Sequence, residues 1–152
     1  MRLQNISLAM VITLIVFIIG CNSLTESSIN QKTTPPRPVI TYEGNVIPVA
    51  QGSYGWNHVQ ADYPSPTIIA KNMEAVILKP GAKLKISFSD PPNDISVYQW
   101  IDDPFNFVKY NIENDTITVP EKEGLYIFEI KGLWKDGDSS YVLKVDIKNL
   151  PL

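Results

Sequence analysis

The chain contains one histidine, His58, and it lies close to the other side chains that a nucleophilic site would need. A hydroxyl, an imidazole and a carboxylate in contact can serve as nucleophile, general base and orienting group, and Ser53, His58 and Asp62 carry these groups. Strand alternation places His58 and Asp62 on one face. All three nevertheless fall within one predicted hairpin, without the glycine-framed turn of a nucleophile elbow or an oxyanion segment. We therefore expect polar hairpin side chains and assign no catalytic residue.

Acidic residues in two loops, Asp102-Asp103 and Asp136-Gly137-Asp138, are the other candidates for chemistry. Calcium takes about six to eight oxygen ligands, and neither loop has the order of an EF-hand. No cysteine–histidine cluster is available for zinc. Paired acids for glycoside hydrolysis depend on a spatial separation that sequence spacing does not give. We expect turn residues here, no metal and no cofactor.

The only cysteine, Cys21, follows a segment with the layout of a secretory signal. Met1-Arg2 forms a short charged start, and residues 6–19 form an apolar run. A membrane-spanning helix needs about 20 apolar residues, whereas this shorter run fits the h-region of a signal peptide. We predict a signal peptide over residues 1–20. The competing interpretations are a plain signal with an incidental cysteine and an uncleaved anchor helix.

The run Ile18-Ile19-Gly20-Cys21 resembles a bacterial lipobox. The resemblance implies that diacylglycerol alkylates the Cys21 thiol, that the signal is cleaved, and that Cys21 becomes the first residue, often N-acylated with a fatty acid such as palmitate. A disulfide-bonded secreted domain would normally hold an even number of cysteines. Two acyl chains suffice for firm anchoring, at about 0.8 kcal/mol for each buried methylene. We expect Cys21 to be the lipid-attachment site of a lipoprotein on the extracytoplasmic face of the cell membrane.

Composition divides the remaining chain into a spacer and one domain. Residues 21–38 are rich in Ser, Thr, Asn and Gln and end in prolines, so they cannot bury enough apolar surface to fold. Residues 39–149 have the usual size of a single domain. Loss of Arg2 with the signal would leave 12 basic against 16 acidic residues. This mildly acidic balance provides no basic patch for nucleic acid.

The domain has the two-residue periodicity of β-strands. Residues 83–89 and 141–148 alternate strictly between apolar and polar side chains. Residues 125–134 place Tyr126, Phe128, Ile130 and Trp134 on one side and Glu129, Lys131 and further apolar residues on the other. The other predicted strands are 39–42, 46–56, 58–63, 74–78, 95–101, 107–112 and 116–119. Turn residues separate them, and Ser65-Pro66 predicts the start of one short helix over residues 66–71. We predict an all-β chain that folds as a single β-sandwich.

Two features favour an immunoglobulin-like sandwich. Gly124-Leu125-Tyr126 resembles the tyrosine corner of such domains, and Trp100 lies on an earlier strand where they place a core tryptophan. Phe128 stands where the second disulfide cysteine would be, so an apolar side chain would replace the bridge.

The runs Gly52-Ser53-Tyr54-Gly55-Trp56 and Ala61-Asp62-Tyr63-Pro64-Ser65-Pro66, with the later Lys79-Pro80-Gly81, resemble small uncharacterised lipoproteins and extracytoplasmic modules of Gram-positive bacilli. The resemblance covers residues 48–148 and implies no reaction. In that family the first run commonly reads Gly-Ser-Tyr-Cys-Trp, with a second cysteine shortly before the Ala-Asp pair. Gly55 and Gln60 occupy those positions here. The resemblance implies that the two positions face each other across a hairpin.

Aromatic residues are the best candidates for ligand binding. Tyr54, Trp56 and Tyr63 surround one predicted hairpin, and a second group lies near another: Tyr98, Trp100, Phe105, Phe107 and Tyr110. Tyr and Trp bury a large area and keep a polar group, although core side chains are the ordinary alternative.

These observations lead us to expect a non-enzymatic binding or accessory domain of the cell envelope, tethered to membrane lipid through a covalent diacylglycerol. Its partner would be an envelope protein or a wall glycan, and not a nucleic acid. The alternatives are an envelope enzyme with a site built from dispersed carboxylates, and an immunity or structural lipoprotein that occupies a membrane partner.

Overall fold

The computed structural model describes residues 33–102 and 105–149. The predicted signal peptide, Cys21, most of the spacer and Asp103 lie outside these residues, as does the side chain of Asp102. The strands are β1 (Pro38–Tyr42), β2 (Asn45–Ile47), β3 (Ala50–Trp56), β4 (Val59–Ala61), β5 (Val76–Leu78), β6 (Lys83–Phe88), β7 (Asp94–Asp102), β8 (Asn106–Tyr110), β9 (Thr116–Thr118), β10 (Gly124–Trp134) and β11 (Gly137–Ile147), and the one described helix is α1 (Pro66–Lys71). Within the described ranges, no helix has the length and apolar character needed to cross a membrane.

The strands form two sheets. The smaller sheet has the order β2-β1-β6-β9, and the larger has the order β4-β3-β11-β10-β7-β8. β10 pairs with β11 along its whole length, so the other edge of β11 is shared by antiparallel β3 and the short parallel strand β5. Strands β10 and β11 therefore form the centre of the larger sheet, and the predicted β-sandwich is confirmed.

The immunoglobulin-like topology stays a prediction, with which the strand order agrees. Strands β1, β6 and β9 lie in the order A-B-E of one sheet, and β8, β7, β10 and β11 in the order C′-C-F-G of the other. The phenol of Tyr126 donates a hydrogen bond to the Lys122 carbonyl at 3.0 Å, which is the geometry of a tyrosine corner. Phe128 is fully buried in the core, in agreement with an apolar replacement of the disulfide.

The expectation that Trp100 is the core tryptophan is wrong. Val97 faces the core from β7 and is fully buried, so Trp100, three residues on, points to the opposite face of the sheet because strand side chains alternate. The core tryptophans are Trp56 and Trp134, whose rings meet edge to face at 5.5 Å. Gly132 leaves the space that the Trp134 ring fills, since a Cβ at this glycine would collide with that ring.

Two-residue turns with positive φ connect three of the hairpins. Glu43-Gly44 joins β1 to β2, Asn57-His58 joins β3 to β4, and Asn114-Asp115 reverses the chain before β9. Two consecutive residues with positive φ define the type I′ turn, whose twist matches that of the strands it joins. His58 is therefore a turn residue, with φ of 69°.

The folded domain begins earlier in the chain than Val39. Pro35, Pro36 and Pro38 are buried, and the phenol of buried Tyr141 donates a hydrogen bond to the Pro36 carbonyl. Arg37 donates to the Val49 carbonyl at 3.3 Å. The end of the predicted spacer is thus bound to the domain.

Candidate functional site

The outer face of the larger sheet, which points away from the smaller sheet, carries the segment that contains α1. This helix packs against β3, β7, β10 and β11. Lys144 of β11 holds it there, because the ammonium donates to the carbonyls of Ala70 and Met73, at 2.8 Å each, near the helix C-terminus. Val142, on the same face of β11, is fully buried although it points away from the core. The helix start agrees with prediction, with Pro66 in its first turn, and the Ser65 hydroxyl is hydrogen-bonded to the Thr67 hydroxyl at 3.0 Å instead of capping the helix.

A cleft of about 590 Å³ lies on this outer face beside α1. The segment between β4 and α1 forms one wall, and the β7–β8 hairpin supplies aromatic rings. The floor comes from the central strands and β3. The lining residues are Gly52, Ser53, Tyr63, Pro64, Ser65, Pro66, Ile68, Ile69, Trp100, Phe105, Phe107, Glu129, Lys131, Asp138 and Ser140. This volume is within the range of about 300–1,000 Å³ that is usual for small-molecule sites.

Glu129 is the most unusual residue of the cleft floor. It is a carboxylate only 6% exposed, at the centre of β10 between Tyr98 and Val142 on the neighbouring strands. The indole Nε1 of Trp100 donates to its Oε2 at 3.0 Å, and the Lys131 ammonium lies 3.6 Å from its Oε1. Burial of a carboxylate is costly unless it is paired and hydrogen-bonded. These two partners therefore keep Glu129 stable and fix its orientation.

Aromatic rings border the floor on one side. The Trp100 and Phe107 rings lie 4.9 Å apart with an angle of 37° between their planes, and Tyr98 meets Phe107 edge to face at 5.6 Å. Phe107 is 44% exposed and Phe105 is 84% exposed. Such exposure of large rings at a cleft is what a stacking surface for a ligand requires, since a buried ring has no free face.

The three aromatic residues predicted as candidate binding residues occupy different environments. Trp56 is 3% exposed and lies in the core, and Tyr54 is partly buried against that core. Tyr63 is 45% exposed and lines the cleft. The Ser53 hydroxyl fixes it there by accepting a hydrogen bond from the Tyr63 amide at 2.9 Å. Tyr63 alone of the three belongs to the cleft.

Ser53, His58 and Asp62 are not assembled as a nucleophilic set. The Ser53 hydroxyl contacts the backbone of Tyr63, and the Asp62 carboxylate is 3.5 Å from the side-chain amide of Gln60. His58 lies in the hairpin turn after β3, whereas Ser53 is in the middle of that strand. Among the described residues, no three His, Cys, Asp or Glu side chains are grouped closely enough to hold a metal ion.

Gly55 and Gln60 are directly opposite each other in the antiparallel pair of β3 and β4. Directly opposed residues of antiparallel strands have Cα atoms about 4.5–5.5 Å apart, which is within the range that a disulfide spans. The position of the two residues therefore agrees with the cysteine pair that the family resemblance implies.

Trp100, Phe105 and Phe107 lie close together in the sequence, but their spacing does not place them in a site with Glu129 and Lys131. One signal was present. Glu129 and Lys131 lie on the side of β10 opposite the core. They share that side with Leu125, Ile127 and Leu133. An ordinary solvent-facing side of a strand is polar throughout, so this mixed side indicates a partly covered surface.

Comparisons with known protein families, with curated proteins and with solved structures gave no match. The functional interpretation therefore depends on the geometry of the cleft.

Proposed function

We propose that this protein is a non-enzymatic binding domain, tethered through Cys21 to the extracytoplasmic face of the cell membrane, which binds a component of the cell envelope in the outer-face cleft. The cleft is the observation that carries the proposal. It joins exposed aromatic rings, at Phe105 and Phe107, to a polar floor centred on Glu129. Binding sites commonly combine an apolar lining with a few placed polar groups.

The chain between the lipid and the domain limits where the partner lies. Residues 22–34 separate Cys21 from buried Pro35. At about 3.3–3.6 Å for each extended residue, a chain of this length reaches at most about 47 Å. The partner would therefore lie no farther from the membrane surface than this length plus the width of the domain.

The alternative of an envelope enzyme has one observation in its favour. Glu129 and Asp138 both line the cleft, so two carboxylates share one concave surface, as acid catalysis of glycoside hydrolysis requires. Glu129, however, is engaged by Trp100 and Lys131. We expect no release of reducing ends from wall glycans, and turnover that disappears in Glu129→Gln would favour the enzyme.

Photo-crosslinking in intact cells tests the binding proposal. A benzophenone-bearing amino acid in place of Phe105, which is 84% exposed at the cleft, should form an adduct with an envelope component. The matched control carries the same group in place of Val46, which is 69% exposed on the smaller sheet. Adduct formation at Phe105 should also fall when Cys21→Ser removes the anchor. Equal adducts from both positions would contradict the proposal.

A further inference from the structure

The outer-face cleft combines two different kinds of ligand-binding group, aromatic rings and an ion pair. Its rings, Trp100 and Phe107, offer apolar faces, while its floor offers a fixed carboxylate beside an ammonium, those of Glu129 and Lys131. A ligand that uses both must have an apolar flat face and a hydroxyl-rich edge. A pyranose ring has these properties, because its C–H groups cluster on its faces and its hydroxyls radiate from its rim.

The Glu129–Lys131 pair has unused hydrogen-bonding capacity. A carboxylate offers about four lone-pair positions and an ammonium has three N–H donors. Trp100 takes one carboxylate position at 3.0 Å, and Lys131 lies 3.6 Å from the other oxygen. The remaining acceptor and donor positions are adjacent. Neighbouring sugar hydroxyls donate and accept at once, so they match this arrangement.

The charges of the cleft argue against other ligand classes. Among the described residues that line it, the ionic groups are two carboxylates, of Glu129 and Asp138, and one ammonium, of Lys131. A phosphate-rich or polyanionic ligand would meet a net negative surface. A lipid chain would leave the buried Glu129 carboxylate against hydrocarbon, which is costly. A cationic ligand would compete with Lys131, which already lies beside Glu129 and 5.3 Å from the centre of the Tyr98 ring.

We propose that the cleft binds a neutral oligosaccharide, with sugar rings stacked on Trp100 and Phe107 and sugar hydroxyls hydrogen-bonded to Glu129 and Lys131. This assignment depends on the proposed function, because it names the ligand class of the same cleft. The tilt of 37° between the Trp100 and Phe107 rings presents two differently inclined surfaces. This geometry suits consecutive sugars of a twisted chain better than a single flat ligand.

The three tryptophans provide a built-in measurement. Trp100 lines the cleft, whereas Trp56 and Trp134 are 3% and 7% exposed in the core. Each indole N–H gives its own nuclear magnetic resonance signal. The Trp134 indole donates to the Asp90 carbonyl at 2.9 Å, and its ring lies in the core, on the opposite face of the sheet from the cleft. Its signal should stay in place while that of Trp100 moves on ligand binding.

The experiment titrates the full mature chain carrying Cys21→Ser with tetrasaccharides of glucose, N-acetylglucosamine, galactose and mannose. At least one should move the Trp100 indole signal with saturation below about 10 mM, a weak but specific affinity. Phe107→Ala and Glu129→Gln should each weaken that binding about tenfold or more, a loss of about 1.4 kcal/mol. Val46→Ala should leave it unchanged, and an unmoved Trp134 signal shows that each variant is folded.

The outcomes separate the sugar assignment from the binding function. If no tetrasaccharide moves the Trp100 signal while the Phe105 crosslinker still forms its adduct, the sugar assignment is overturned and the binding proposal stands. If both experiments fail, both proposals fall. Movement of the Trp134 signal together with that of Trp100 would also contradict the assignment, because it would report a change of the whole fold.

Discussion

The two faces of the larger sheet are made by the same strands but meet different surroundings. On the core face, Phe128, Ile130 and Leu143 are fully buried against the smaller sheet. On the outer face, the intervening residues Glu129 and Lys131 lie in a cleft that α1 covers only in part. Alternation along β10 thus separates the residues that stabilise the fold from those that can bind a ligand. Substitutions on the core face should therefore lower the free energy of unfolding, whereas substitutions on the outer face should mainly weaken ligand binding.

The sharpest form of this comparison replaces a phenylalanine on each face by alanine. Phe128→Ala should lower the free energy of unfolding by about 3–5 kcal/mol, because it removes a fully buried ring and leaves a cavity. Phe107→Ala should cost about 0.5–1.5 kcal/mol, since that ring is 44% exposed. Urea unfolding of both variants measures the difference. Equal losses would show that the outer-face rings also belong to a core.

A covalent link near the cleft should strengthen the domain without touching the core. Gly55→Cys combined with Gln60→Cys places two thiols opposite each other on β3 and β4. The closed loop is short, so the expected gain is about 2 kcal/mol in the chain-entropy estimate. A Cβ at Gly55 would come no closer than 3.6 Å to the Asp138 carboxylate, an ordinary contact.

The melting temperature of this double variant, oxidised and then reduced, measures the gain. The reduced form serves as the internal control. Failure of the two thiols to oxidise in the folded protein would contradict the register of the β3–β4 hairpin.

The attachment of α1 to the outer face depends on one side chain. Lys144→Met keeps the aliphatic stem but removes the two hydrogen bonds to Ala70 and Met73. We expect a loss of about 1–3 kcal/mol, because these charge-assisted bonds are partly buried. Amide hydrogen exchange over residues 66–73 should rise more than exchange in β10.

The matched control for that change is Lys148→Met, at the residue that follows the end of β11. Lys148 pairs with Asp146 and its side chain is 54% exposed, so its loss should change stability by no more than about 1 kcal/mol. If Lys144→Met leaves exchange of the helix amides unchanged, the helix is held by other contacts.

Replacement of Tyr141, a buried residue of the core face, should have the smallest effect on stability, and this effect should depend on pH in alkaline solution. Burial raises the pKa of its phenol above the usual 10.0, against the weaker lowering effects of Ser139, Arg37 and Gln51. The unfolded chain would therefore ionise first, so this stability is present below about pH 10 and is lost as the pH rises through the folded-state pKa. Tyr141→Phe should cost about 1 kcal/mol at neutral pH, through loss of the bond to the Pro36 carbonyl.

This expectation is checked by measuring the unfolding of Tyr141→Phe and of the parent protein between about pH 8 and about pH 11. This range lies on both sides of the ordinary pKa of tyrosine, about 10. The parent should lose stability more steeply at the alkaline end than the variant does. Parallel curves would show that Tyr141 does not contribute to the alkaline loss.

Local sequence rules predicted the elements whose pattern depends on immediate neighbours. The alternation of residues 83–89 and 141–148 agrees with β6 and most of β11, and Pro66 marks the start of α1. The predicted strand 46–56 is instead two strands in different sheets. Pro48, between them, has no N–H for a sheet ladder, so this break was readable in the sequence.

Alternation could not decide which face of the larger sheet would be covered. It placed Trp56 and Tyr54 on one side of their hairpin. Whether that side faces the core or the solvent depends on the contact of Trp56 with Trp134, a residue distant in sequence. The same limit produced the wrong placement of Trp100. The cleft likewise requires α1 to pack against four strands, and this arrangement follows from long-range contacts such as those of Lys144.

The most direct test of the division between the two faces measures binding and stability in the same variant. Phe107→Ala is carried in the chain with the benzophenone group in place of Phe105, and both adduct yield and free energy of unfolding are measured. We predict that the adduct is largely lost while stability falls by less than about 1.5 kcal/mol. An undiminished adduct from a folded Phe107→Ala protein would contradict the assignment of the outer-face cleft as the binding site.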